Sequence, residues 1–346
     1  MVKLLGKNTD ELQAIALEAG LPRFAGKQLA HWLYEKRVTS FEQMTNISKQ
    51  GREKLQQLYS IGRHAPVAQA VSIDGTVKYL FETGSEVSNK DGQFIETVYL
   101  PEDDRATVCV STQAGCKMGC RFCMTGTLGF HGQLSAADIL NQIFETDRLN
   151  GNRLTNIVYM GEGEPLDNID EVLRSLDVLT SSYGLALSPK RITVSTAGYL
   201  PQLKRFLDST DCHIAVSLHN PFHSEREEIM PVEKIYKVED VVRTLKGYDF
   251  THQRRVSFEY ICFGGRNDTK RHADEIVRLL DGLECRVNLI RYHSVGGEFP
   301  ASDEERMVIL RDYLTDKGVT TTIRKSRGED ILAACGMLIN DLKNKK

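Results

Sequence analysis

The sequence predicts an α/β protein: a run of parallel strands joined by crossover helices, preceded by a small helical unit and a β-hairpin. Three observations carry that prediction. From about residue 105 onward, short β-rich runs alternate regularly with segments of helical periodicity. Up to about residue 62 the apolar spacing is helical, and between residues 67 and 100 it switches to alternation. Strand–helix–strand order is the pattern of parallel sheets, whose successive strands need a crossover.

The first helix starts at Thr9-Asp10-Glu11-Leu12, runs through Ile15, Ala16 and Ala19, and stops at Gly20. A second starts near Lys27 and carries Leu29, Trp32 and Leu33; a third includes Arg52, Leu55 and Leu58. This unit sets Arg23, Lys27, His31, Lys36 and Arg37 beside Trp32 and Tyr34. Such side chains suit phosphate contacts and base stacking on RNA. From composition alone a solvated helix face is the reading they favour. Residues 76–81 and 94–99 read as paired strands across a loop rich in Gly, Ser, Asn and Asp. Seven further strands are expected at 106–111, 156–160, 192–196, 214–218, 256–262, 287–292 and 320–323. Helices fill the gaps. One is expected to be capped by Ser135, and another, at 273–283, puts Ile276, Leu279 and Leu280 on one face.

At 346 residues the chain is long enough to bury a sizeable core. Its net charge of −3 gives no global argument for nucleic acid, so any RNA contact must come from local basic patches. No apolar run approaches the roughly 20 residues that span a bilayer, and the N-terminal stretch lacks a signal-peptide pattern. No membrane partner is therefore expected. Eight unevenly spaced cysteines are too few for a disulfide-stapled secreted scaffold, and a reducing cytoplasm is the expected setting.

The cysteines carry the chemistry. Cys116-Lys117-Met118-Gly119-Cys120-Arg121-Phe122-Cys123 puts three thiols in one tight turn, directly after the first parallel strand. No fourth cysteine is near, whereas a closed zinc site or a self-contained iron–sulfur cluster wants four ligands. Cys116, Cys120 and Cys123 therefore point to a 4Fe–4S cluster with one iron open to an outside ligand. A zinc or incidental cysteine cluster is the alternative. In parallel barrels chemistry gathers where the strands end. At those ends lie Gly161-Glu162-Gly163-Glu164-Pro165, Ser195-Thr196, Ser217-Leu218-His219 and His293. Each alone is a weak signal; together they argue for a cofactor pocket. Cys109, in the strand before the cysteine turn, reads unaided as a small buried hydrophobe, and Cys335 as ambiguous. Cys212, Cys262 and Cys285 read as packing residues.

The CxxxCxxC spacing resembles the signature of radical S-adenosylmethionine (SAM) enzymes, and the chain as a whole resembles the RlmN family of rRNA and tRNA adenine-C2 methyltransferases. The resemblance runs through Glu96-Thr97-Val98-Tyr99, residues 105–111, Gly163-Glu164-Pro165, Ser217-Leu218-His219, Val287-Asn288-Leu289-Ile290 and residues 328–336. It implies a partial parallel (β/α) barrel of radical SAM type over residues 102–346, ending in a catalytic-cysteine segment. It also implies a helical accessory RNA-binding domain over 1–65 and a β-hairpin linker over 66–101. The implied cofactors are one 4Fe–4S cluster on Cys116, Cys120 and Cys123, and two molecules of SAM per turnover. Gly163, Glu164, Ser195, Ser217, Leu218, His219 and His293 are the implied SAM contacts. By the same resemblance Cys335 is methylated by a first SAM and loses hydrogen to a 5′-deoxyadenosyl radical made from the second. The carbon radical then adds to adenine C2. Glu96 accepts the C2 proton, and Cys109 frees the product by forming a transient disulfide with Cys335. Implied partners are 23S rRNA, tRNA and an electron donor such as flavodoxin or ferredoxin, with the enzyme a cytoplasmic monomer. A Cfr-type adenine-C8 methyltransferase is the alternative. The chain departs from the family's pattern at Glu162, commonly a methionine, and at His293, often an asparagine.

Overall fold

The computed structural model describes residues 1–83, 93–151, 153–251, 254–293, 299–334 and 336–338. One ten-stranded sheet organises the fold. In chain order its strands are β1 (Ala68–Val71), β2 (Val77–Glu82), β3 (Phe94–Pro101), β4 (Ala106–Cys109) and β5 (Asn156–Tyr159), then β6 (Ile192–Thr196), β7 (His213–Ser217), β8 (Val256–Cys262), β9 (Arg286–Arg291) and β10 (Thr320–Ile323). Across the sheet they lie in the order β10-β9-β8-β7-β6-β5-β4-β3-β2-β1. From β4 to β10 every neighbouring pair is parallel; β3, β2 and β1 continue the same sheet antiparallel. The hairpin expected at 76–81 and 94–99 thus pairs as anticipated, with Val77 opposite Tyr99 and Leu80 opposite Glu96. Its loop lies largely outside the described residues. The alternation at 67–100 had not disclosed β1, which at four residues with half-exposed side chains is short even for an edge strand.

Crossover helices cover the parallel strands. They are α4 (Ala136–Leu149), α5 (Ile169–Thr180), α6 (Leu200–Ser209), α7 (Val238–Leu245), α8 (Lys270–Leu280) and α9 (Glu304–Asp316), following α1 (Thr9–Glu18), α2 (Ala25–Ala30) and α3 (Lys49–Leu58) of the N-terminal unit. Ser135 caps α4 through a reciprocal capping box with Asp138, as its position in the sequence suggests. The helix expected at 273–283 begins three residues earlier, behind Thr269, and ends at Leu280 because Asp281 turns to extended backbone before Gly282. Past α2 the helix widens into a π-type turn over His31–Glu35, which buries Leu33 and Tyr34. Among the described residues no helix is long and apolar enough to cross a membrane.

A continuous apolar cluster runs from Leu4, Leu12, Leu29 and Leu55 of the N-terminal unit into Ile139 and Phe144 of α4 and on under the sheet. The polar rim of that junction is paired as well. Lys3 meets Asp138 at 2.7 Å, Arg37 meets Asp147, and Arg63, almost fully buried, meets Glu145. Arg174 on α5 grips Glu11 of α1 with both carboxylate oxygens within 2.8 Å.

The concave side of the sheet differs from a filled barrel. In a closed (β/α)₈ barrel bulky branched side chains pack the interior in layers. Here many inward positions are small or polar, among them Thr107, Asn156, Thr193, Ser257, Asn288 and Thr320, beside apolar Val158 and Ile290. They leave a cavity of about 1170 Å³ running the length of the strands.

Candidate active site

The cysteine turn hangs from a short antiparallel pair, Gln113–Gly115 with Phe130–Gln133, just beyond the C-terminal end of β4. Gly115 must be glycine. Its φ is +71°, and a Cβ there would sit 1.8 Å from the Gly129 carbonyl oxygen. That same carbonyl accepts the Cys116 N–H at 3.0 Å, and the Cys123 N–H donates to Cys120 O at 3.1 Å. Cys120 packs with Met118 and Phe122 against an apolar cluster that includes Ala197, Ile229, Ile261 and Phe263. Burial pushes the Cys116 thiol up to about 12 and raises Cys120 and Cys123 too, and Cys123 adds to the rise at both Cys116 and Cys120.

These thiols suit an electropositive centre that takes them as thiolates. Among the described residues no three His, Cys, Asp or Glu side chains converge closely enough to hold one metal ion. A single zinc draws its sulfurs to about 2.3 Å. A four-iron cube takes three thiols on three separate corners and leaves the fourth iron open, which matches a turn with three cysteines.

Behind the turn lies a buried polar lattice. Glu162 accepts the Glu96 N–H at 2.9 Å with one oxygen and the Gly115 N–H at 3.1 Å with the other. Burial raises its pKa to about 8. The carboxylate absent from the family's usual pattern is therefore a brace between β3 and the root of the cysteine turn. Glu96 is fully buried and ion-paired at 3.0 Å with Lys78, itself fully buried on β2. Lys78 also donates to the Leu332 carbonyl at 3.3 Å. Gln142 of α4 bonds both the N–H and the C=O of Ser111, and Ser111 donates its hydroxyl to Glu96 O at 2.6 Å.

The strand-end motifs gather at the same end of the sheet. Gly163 has φ +98°, and a Cβ there would come within 2.5 Å of the Gln113 side chain. Glu164 is buried, its pKa raised to about 7 by that burial, and it accepts the Ala197 N–H at 2.7 Å and the Leu166 N–H at 3.0 Å. It therefore shapes the loops around the pocket through backbone bonds. Ser195 and Ser217 are half-buried on β6 and β7, and Leu218 is fully buried. Arg226, without exposure, donates to the carbonyls of Ala197, Ser217 and Leu218 and pairs with Glu233, so one guanidinium fixes both loops. His219 takes φ +53°, accepts the Ile261 N–H on Nδ1 at 3.0 Å, and stands edge-on to Phe122 at 4.7 Å. His293 bonds Ser326 through Nε2 and faces Glu329 at 3.6 Å.

Burial depresses the pKa of His219 to about 3. Folded His219 thus refuses a proton that the unfolded chain accepts below about pH 6.5. Its contribution to stability is complete above that pH and declines as pH falls toward 3. In the cluster-free protein, ¹⁵N-histidine spectra are expected to show this ring neutral and unchanging from pH 8 to pH 5. A titration midpoint near 6.5 for His219 would contradict the burial argument.

Cys109, half-buried, lies in register with Val98 and Val158 and lines the large cavity. Cys335 lies outside the described residues. Its flanks are described: Ala333 and Leu338 pack with Val98, Leu100 and Cys109, and Ala334 and Gly336 line the same cavity. Two bonds stitch this segment to the cysteine turn, Met124 N–H to Gly336 O at 2.8 Å and the Thr125 hydroxyl to Leu338 O at 3.1 Å. No sequence motif singles out Lys78 or Arg226. Lys78 left a trace, as the lone charge in Val77-Lys78-Tyr79-Leu80-Phe81; Arg226, among the glutamates of 225–228, left none.

A half-open parallel sheet with three thiols at its C-terminal edge defines a radical SAM enzyme, and the Radical SAM superfamily model matches residues 110–280. A second family model, the ribosomal RNA large subunit methyltransferase N-terminal domain, matches residues 2–61. The chain belongs to the RlmN family. Among its relatives is a probable dual-specificity RNA methyltransferase RlmN from Bacteroides thetaiotaomicron, 53% identical over 97% of this chain and 95% of the relative. The dual-specificity RNA methyltransferase RlmN of Oleidesulfovibrio alaskensis is 41% identical over 98% and 96%. The crystal structure of a radical SAM methyltransferase from Sphaerobacter thermophilus superposes with a TM-score of 0.90 at 36% identity, covering 97% of this chain and 99% of that one.

Proposed function

We propose that this radical SAM methyltransferase methylates C2 of adenosine in 23S rRNA and tRNA through a methyl-cysteine on Cys335. The observation that carries the reading is the packing of both flanks of position 335 against Cys109 and the cysteine turn. Cys116, Cys120 and Cys123 would hold a 4Fe–4S cluster. Gly163, Glu164, Ser195, Ser217, Leu218, His219 and His293 would surround SAM. When bound, the cluster and two SAM molecules per turnover supply the methyl group and the hydrogen-abstracting radical.

The remaining work falls to side chains of the chain. Cys335 carries the one-carbon unit and presents it to the base. Adenine C2 is electron-poor, so polar methyl transfer to it is unfavourable, and a carbon-centred attack leaves the RNA joined to Cys335. Glu96 takes the C2 proton. Its carboxylate is fully covered in this structure, so the step needs the segment held by Lys78 to shift. Cys109, as its thiolate, then attacks the Cys335 sulfur: the S–S bond forms as the C–S bond to the product breaks, the departing carbon takes up a proton to become the methyl group, and the single electron left by the radical addition passes to the one-electron carrier. An external reductant, such as flavodoxin or ferredoxin, and a reducing cytoplasm suit this cycle, with the enzyme acting as a monomer.

Anaerobically reconstituted protein, given SAM, a reductant and unmodified rRNA and tRNA fragments, is expected to yield 2-methyladenosine on nuclease digestion and mass spectrometry. The RlmN names of the relatives favour C2 over a Cfr-type product. Finding 8-methyladenosine alone would overturn the assignment.

A further inference from the structure

The large cavity opens at the N-terminal end of the parallel strands, opposite the cysteine turn, and that mouth is basic. Lys190 and Arg191 immediately precede β6, Arg254 and Arg255 immediately precede β8, Arg286 opens β9, and Arg105 immediately precedes β4. All six line the cavity; the carboxylates lining it at this end are Glu102 and Glu284. Some of these cations are engaged. Arg105 pairs with Glu102, and Arg254 bonds Thr210 O and Asp211. Lys190, Arg255 and Arg286 are exposed, and among the described residues no carboxylate lies within ion-pair distance of them. Neighbouring strands stand roughly 5 Å apart, so the basic starts of β6, β8 and β9 form an arc of about 15 Å. In a chain of net charge −3 this concentration is local.

From that mouth the lumen leads past small polar side chains, Asn156, Thr193 and Asn288, to Cys109 and Ala334. Arg324, Lys325 and Arg327 line the cavity from the segment after β10, Arg324 paired with Glu259 and Arg327 with Asp74. A passage that is wide, lined by polar side chains and cationic at its mouth suits an unpaired nucleotide whose flanking phosphates stay outside.

We infer that single-stranded RNA is held across the N-terminal mouth of the barrel by Lys190, Arg191, Arg255 and Arg286, and that its target base threads up the lumen to Cys109. SAM, among the residues at the strand ends, and RNA, at the strand starts, then approach from opposite ends of the barrel. A SAM molecule can be exchanged without releasing the RNA. The inference rests on the RNA-methyltransferase reading above and adds the route and the residues.

The probe is unmodified tRNA, with binding followed by fluorescence anisotropy between 50 and 200 mM KCl. The triple variant Lys190→Glu, Arg255→Glu, Arg286→Glu is expected to bind at least ten-fold more weakly. Its log–log salt slope should flatten by about 2, the counterion release of three single-strand phosphate contacts. Lys204→Glu, on the outer helix α6, should stay within two-fold, which separates a local site from a general charge effect. Thermal midpoint and the visible absorbance of the reconstituted cluster report folding. Should the triple variant misfold, the single neutral changes Lys190→Gln, Arg255→Gln and Arg286→Gln are each expected to weaken binding two- to five-fold. Wild-type affinity and slope in folded rim variants would overturn the route while leaving RNA methylation by the parent protein intact. Failure of the parent protein to bind tRNA at all would overturn the functional reading, and the route with it.

Discussion

Cys109→Ala is expected to convert the enzyme into one that traps its own substrate. With no thiol to attack the Cys335 sulfur, the bond between that sulfur and the RNA-borne carbon persists. Cys109 lies between Val98 and Val158 in the sheet, and removing one sulfur from this half-buried position leaves the strand pairing untouched. The fold should therefore survive. After anaerobic reaction with SAM, reductant and tRNA, a protein–RNA band should persist in denaturing gels and collapse on ribonuclease treatment. Released 2-methyladenosine should fall by two orders of magnitude or more. A Cys109→Ala protein that turns over freely without an adduct would remove Cys109 from the mechanism.

Lys78→Met is expected to have the largest effect on stability. The change leaves the Glu96 carboxylate fully buried with its counter-charge gone, a situation that costs about 3–5 kcal/mol. It also removes a donor from the Leu332 carbonyl, three residues from Cys335. Adding Glu96→Gln should recover most of the lost stability, because an uncharged amide replaces the stranded carboxylate. Urea unfolding of the cluster-free proteins, followed by circular dichroism, reads both numbers. A single variant within about 1 kcal/mol of wild type would mean that Lys78 and Glu96 are not coupled as drawn. The double variant should stay inactive on RNA, since the proposed proton acceptor is gone.

Much of this architecture was legible in the sequence, for identifiable reasons. The strands at 192–196, 256–262 and 320–323 were read to the residue, because β-branched runs are bounded there by turns and helix starts. The Ser135 cap was legible because capping is local chemistry. Contacts between distant segments were not. Lys78, Glu96 and Leu332 meet across 254 positions, and no local pattern encodes such a meeting. Glu164 reads in the sequence as part of a cofactor pocket; the structure shows both its oxygens accepting from backbone N–H groups, a tie that depends on where the loop after β6 passes. The basic mouth escaped notice for a related reason. Its cations lie up to about 180 residues apart in sequence (Arg105 to Arg286) and only strand order brings them together.

The junction between the N-terminal unit and α4 sets one further property. Ion pairs at Lys3, Arg37 and Arg63 and a shared apolar cluster hold the two bodies together, in place of a bare linker. These contacts oppose any swing of the unit toward its target. The span from its outer face to the barrel is set at folding, as in a caliper locked at one opening. RNAs whose contour matches that span are admitted without any loss of domain freedom, and those that do not match must themselves deform.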